Sequence, residues 1–233
     1  MSVLGSKQEE VLRFIDRFGV ITSSQLISFM KGDISHVTVY NTKKKLVDLG
    51  FIGEEKIGYD LILFIKPRGV QYLNSRLTPF TKVNYGLLKH QLLMNDCLLV
   101  FKGLAEKREK GFDFLTERQL RATYLESNFS QSDRQNSTKL KQVPERIPDF
   151  VLVEGGEKIA HEVELTQKSS KRYTEKMKRY RDELLNGEYK MIRYLCDDEK
   201  IKEVVSTYAA REGFDKNNFQ VELVGRLLAI GKK

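Results

Sequence analysis

The sequence predicts an α+β chain in two parts: a small helical part closed by a β-hairpin, then a larger mixed α/β part. Three observations carry this expectation. Apolar residues recur at three- and four-residue steps through the first fifty positions, then give way to strand-like runs. Two apolar runs flank Gly155-Gly156 as the arms of a hairpin would. Beyond them, helical patterns alternate with apolar strands, an order that builds a mixed α/β domain.

Glu9 to Phe18 reads as the first helix, with Val11, Leu12, Phe14, Ile15 and Phe18 as its apolar stripe and Gly19 as its end. Thr22 is an N-cap for a second, short helix carrying Leu26, Ile27, Phe29 and Met30. The third begins near Ser35 and runs to Gly50. Val39, Leu46 and Leu49 are expected to face inward, and Ser35, His36, Thr38, Asn41, Thr42 and Lys45 outward. Glu54 to Gly58 and Asp60 to Ile65 then form a hairpin around Gly58-Tyr59-Asp60, and Pro67 precedes a closing helix marked by Val70, Tyr72, Leu73 and Leu77.

That order is the signature of a winged helix-turn-helix, expected over residues 1–80. Short polar side chains on the first turns of the third helix can reach base edges, and Lys43 and Lys45 suit phosphates. The same elements can also serve protein contact, as an adaptor. His36 has no second His or Cys at ligand spacing and reads as an exposed contact, not a metal ligand.

Composition narrows the partners. Forty basic against thirty-two acidic residues leave a net charge of +8, which favours polyanions. Between Lys168 and Arg193 there are nine basic and four acidic residues, so much of the excess sits far from the first part. Lys171, Arg172, Lys176, Lys178, Arg179 and Arg181 are candidate DNA contacts there. No apolar stretch reaches the roughly 18 residues of a membrane span, and Met1 to Gln8 is unlike a secretory leader. Cys97 and Cys196, far apart in apolar segments, read as buried free thiols, so a cytoplasmic setting is expected.

The second part, residues 81–233, opens on a helical pattern from Tyr85 to Arg108, a candidate seam for a homodimer. A short strand, Phe112 to Leu115, follows. Residues 126–146 are polar and read as a flexible loop. Next come the strands Pro148 to Glu154 and Lys158 to Leu165, a helix Ser170 to Leu185, a strand Tyr189 to Cys196, a helix Glu199 to Arg211 and a strand Phe219 to Val224.

Strand alternation puts Glu162 and Glu164 on one face. Counting outward from Gly155-Gly156 sets Asp149 about opposite Glu162. Three acids on one patch repel unless a cation lies among them. A Mg²⁺ ion held by Asp149 and Glu162 is one solution, and Lys168 could then steady a phosphoryl group. The other reading is an edge strand whose wet face pairs Glu162 and Glu164 with Lys158, Lys168 or Arg172. There is no Gly-rich phosphate loop, Ser/His/Asp arrangement or zinc spacing.

Pro148-Asp149 followed by Glu162-Val163-Glu164, in a helix–three strands–helix–strand order, resembles the PD-(D/E)xK nuclease superfamily. The resemblance implies Asp149 and Glu162 as metal ligands and catalytic residues, with Glu164 beside them; Lys168, from its place just past the strand, is the further catalytic candidate. Glu164 stands where the family usually has lysine, which leaves cleavage open. Most of residues 5–195 also resembles the replication-relaxation family of plasmids and mobile elements. The likeness lies in the N-terminal part, Lys89-His90-Gln91 to Asn95-Asp96, Leu115 to Arg121, Ile147 to Phe150, His161 to Leu165 with Lys168, and Arg172-Tyr173 with Arg179-Tyr180. It implies a double-stranded-DNA-binding protein acting in replication, relaxation, mobilisation or its transcriptional control, with replication or mobilisation proteins as partners. His90 and Asp96 are candidates to join the acids, and Arg118 and Arg121 to hold phosphate; the alternatives are an exposed helix face and pairs with Glu117 or Glu126.

Overall fold

The computed structural model describes residues 4–231 and is mixed α+β. It divides into two units, Met1–Leu99 and Val100–Lys233, each with its own sheet.

In the first unit, α1 (Ser6–Phe18) is followed by β1 (Val20–Thr22), α2 (Ser23–Met30) and α3 (His36–Asp48). The strands β2 (Ile52–Ile57) and β3 (Asp60–Ile65) complete a three-stranded antiparallel sheet of order β1-β3-β2. α4 (Pro67–Tyr72) starts on its proline, where the missing N–H costs nothing. The predicted N-cap is present, the Thr22 hydroxyl accepting the Gln25 N–H at 3.0 Å, and Ser35, expected only as an outward residue, also caps by accepting the Thr38 N–H at 3.2 Å. Phe14, Phe18 and Phe29 lock α1 to α2, with ring centroids 4.9–5.3 Å apart.

The three-residue β1 has too little pattern to be seen in the sequence; it exists because Val20, Ile21 and Thr22 pair with Phe64, Leu63 and Ile62. The unit also runs past residue 80, into α5 (Tyr85–Lys107). The reason is polar as well as apolar. Gln25 Nε2 donates to Leu92 O at 2.9 Å and to Asp96 Oδ1 at 2.7 Å, and Asn95 Nδ2 donates to Val20 O at 3.1 Å. Leu88 and Leu92 pack with Val20, Ile62 and Phe64.

The second unit is built on a five-stranded sheet of order β4-β5-β6-β7-β8, formed by β4 (Asp113–Thr116), β5 (Phe150–Glu154), β6 (Glu157–Glu164), β7 (Met191–Cys196) and β8 (Phe219–Leu223). The first three pair antiparallel and the last three parallel. On one face lie α8 (Ser170–Leu185) and α9 (Glu199–Arg211), whose Tyr173, Met177, Tyr180, Ile201 and Val205 pack on Val151, Ala160, Ile192 and Tyr194. On the other, the Phe101 ring meets His161 edge-on at 5.0 Å.

Residues 126–146 are not an open loop. α6 (Glu117–Asn128) and α7 (Ser137–Gln142) cover much of the stretch around it, with a 3-10 turn on each side of α7. The Asn136 side chain caps α7 by accepting the Thr138 and Lys139 N–H groups. The chain ends in α10 (Val224–Gly231), which the sequence reading did not include. Cys97 and Cys196 are both buried and form no disulfide with each other. Among the described residues, no helix is long and apolar enough to cross a membrane.

Candidate functional site

Two regions bear on function, one in each unit. In the first, α3 shows two faces. Val39, Thr42, Lys43 and Leu46, at three- and four-residue steps, are buried. Ser35, His36, Val37, Tyr40, Asn41, Lys44 and Asp48 are exposed. Two sequence expectations are thereby corrected. Thr42 lies on the inner stripe, 2% exposed, and Lys43 is drawn inward to an ion pair with Glu54 of β2 at 3.1 Å. Lys45 is half-buried, its Nζ donating to Gln8 Oε1 at 2.9 Å.

Sequence reasoning placed the inner stripe through Val39, Leu46 and Leu49 and so missed Val37, Tyr40 and Lys44. The spacing 39-42-43-46 was available, but it runs through a threonine and a lysine, which do not advertise burial. Lys44 lies over the Tyr40 ring at 4.7 Å from its centroid. The β2–β3 turn carries Gly58 at φ +60° and a fully exposed Tyr59.

In the second unit, the register Phe150↔His161 continues so as to set Asp149 opposite Glu162, and the Asp149 N–H donates to His161 O at 3.0 Å. The Asp149 carboxylate turns across to accept the Val163 N–H at 2.7 Å. β6 is the middle strand of the sheet, so the edge-strand reading does not hold. Glu162 and Glu164 are each 4% exposed and lie on the α8 side with Ala160.

Each of these buried acids has its own lysine. Lys176 Nζ of α8 stands 2.6 Å from Glu162 Oε2, and Tyr180 donates its hydroxyl to Glu162 Oε1. Lys168 Nζ is 3.1 Å from Glu164 Oε1. Burial, and then the charge of Asp149, raise both glutamates above the usual carboxylate range, against the pull of these lysines. Burial alone would lower Lys176, but Glu162 and Asp149 outweigh it and hold the ammonium charged.

No protein-family model and no curated protein matches the chain. The residues themselves must carry the reading.

A divalent ion needs carboxylate oxygens that can turn to it. Here both Glu162 oxygens are engaged, Glu164 is paired, and one Asp149 oxygen is committed to the backbone. Among the described residues, no group of three or more His, Cys, Asp or Glu side chains could hold a metal ion. As arranged, the cluster is an acid–lysine network and does not fit a metal centre.

The basic helix is likewise more inward than its composition implies. Lys176 and Arg179 have side chains only 15% and 13% exposed, and Arg179 is bonded to Arg146 O at 2.7 Å and Glu183 Oε1 at 3.0 Å. These two positions are corrected as DNA contacts. Arg172 pairs with Glu145 while staying half in solvent, and Lys171 is open. Asp96 bonds Gln25 within the first unit, and Arg121 reaches Leu140 O at 3.4 Å.

Proposed function

We propose that this chain binds double-stranded DNA, its first unit a winged helix-turn-helix and its second a PD-(D/E)xK-like fold used for contact. One observation carries the reading: α3 turns a polar, aromatic and lysine-bearing stripe to solvent while its other face is buried. An exposed helix followed by a two-stranded ribbon suits a major groove and an adjoining backbone. Lys31, Lys44 and Lys56 in the first unit and Lys171 in the second are each exposed, as a phosphate contact requires. On the resemblance described above, the setting is a plasmid or other mobile element.

Phosphate contacts release counterions, so affinity must fall with salt. If about four phosphates are neutralised, raising salt from 50 to 200 mM weakens binding roughly 150-fold, from a slope of about −0.9 per contact. Fluorescence anisotropy with a labelled duplex measures this. Binding that ignores salt, or is missing with every duplex, removes the proposal.

A second reading, metal-dependent cleavage, comes from the resemblance at Asp149 and Glu162, which face each other across β5 and β6, and requires that Glu162 first leave Lys176 and Tyr180. Nicking of supercoiled plasmid in Mg²⁺ or Mn²⁺, lost in Glu162→Ala, would establish it. Plasmid left intact with both ions disposes of cleavage without touching binding.

A further inference from the structure

The outer stripe of α3 is not what a surface helix needs for its own stability. Val37 is 66% exposed, and a β-branched residue in the first turn of a helix is neither a cap nor a strong helix former. The short hydroxyls at this end are already spent. Ser35 Oγ and Thr38 Oγ1 lie 2.8 Å apart in a mutual hydrogen bond, and Ser35 also caps the Thr38 N–H. What the first turns still offer to a partner is His36 at the helix start, Val37 and, one turn on, Asn41, with Tyr40 and Lys44 beside them; of these, Val37 and Asn41 stand four apart.

Residues four apart on a helix are neighbours, their Cβ atoms about 5–6 Å apart. The pair therefore presents one apolar group next to one amide. In a major groove these have distinct complements. A side-chain amide matches the adenine N6/N7 edge with one donor and one acceptor, and the thymine C5-methyl is the apolar group that the groove displays. A spacing of about 5–6 Å spans one to two base steps of about 3.4 Å, so the two contacts fall on base pairs one or two steps apart. Lys44 on the same stripe supplies the charge that suits a polyanion, which favours duplex over an apolar protein partner.

Resting on the DNA-binding reading, we infer that α3 selects an A·T-containing step, Asn41 reading adenine and Val37 seated on a thymine methyl. Tyr40 and Lys44 flank these two readers, the lysine directed to backbone.

The test uses the full chain and a randomised duplex pool. Retained duplexes should share an A·T step. In the best of them, replacing single thymines by deoxyuridine removes the methyl alone, and one position should weaken binding about fourfold, the worth of one buried methyl. In Val37→Ala that position should become indifferent to the methyl. In Asn41→Ala the preference for adenine should fall by tenfold or more. Binding unchanged by deoxyuridine at every position, or a retained site with no A·T step, overturns the inference and leaves DNA binding standing. A pool from which nothing is retained overturns DNA binding itself. A DNA-free chain that sediments as a dimer, and as a monomer after Val37→Ala, makes the stripe a self-association face and also overturns the inference.

Discussion

Replacing Lys176 by methionine is expected to lower the stability of the second unit by about 3–5 kcal/mol at pH 8, because it strands a buried carboxylate. Glu162 sits on the middle strand of the sheet with its side chain 6% exposed, and Lys176 Nζ is the cation bonded to its Oε2. The Tyr180 hydroxyl holds the other oxygen but brings no charge. Methionine keeps much of the length of the lysine stem, so the loss measures the uncompensated charge more than the packing. Urea denaturation reads the change as a shift in midpoint at unchanged slope. A deficit below about 1 kcal/mol would mean that the pair is not coupled as its 2.6 Å separation requires.

The same replacement carries a pH signature. Burial, aided by Asp149, raises Glu162 above its ordinary 4.5 in the folded chain. Between 4.5 and that raised value the folded state holds more protons than the unfolded one. Stability therefore falls as pH rises through the window, since its slope follows the unfolded-minus-folded proton count. Without Lys176 the folded value moves higher still and the window widens. The deficit of Lys176→Met should be fullest above the window and shrink on acidification toward 4.5. Adding Glu162→Gln should recover most of the loss and flatten the profile.

The pair behind this prediction shows where sequence reasoning stops. Asp149 opposite Glu162 follows from counting outward along a hairpin whose turn is marked by two glycines, and the register bears that out. Ser170–Leu185 and Glu199–Arg211 are bounded as expected, since Ser169 and Asp198 cap runs with a clear apolar period. The partner of Glu162 was harder to see. Tyr173, Lys176, Met177 and Tyr180 share one face of α8, but only the packing of α8 on the strand face of Ala160 tells that this face looks at acids. A lysine there is read as solvated until the neighbour is known. α6 and α7 were hidden for the opposite reason: neither buries a residue, so no apolar stripe announced them.

Opposite faces of α3 should fail in opposite ways. Leu46→Ala is expected to cost the first unit about 2–5 kcal/mol, the range for removing a fully enclosed leucine. Leu46 is 0% exposed, and its carbonyl accepts the Phe51 N–H at 2.9 Å, so the backbone is tied at the site and cannot readily collapse into the gap. Val39 and the inward Lys43–Glu54 pair lie on the same stripe, which limits rearrangement further. Asn41→Ala touches none of this. Its position is exposed, so stability should move by no more than about 0.5 kcal/mol, while duplex affinity falls tenfold or more through the lost base contact. Thermal or urea unfolding and anisotropy on the same two variants separate the outcomes. Affinity that tracks stability in both would mean that α3 acts only by holding the unit together, and its outer face would lose its claim on the groove.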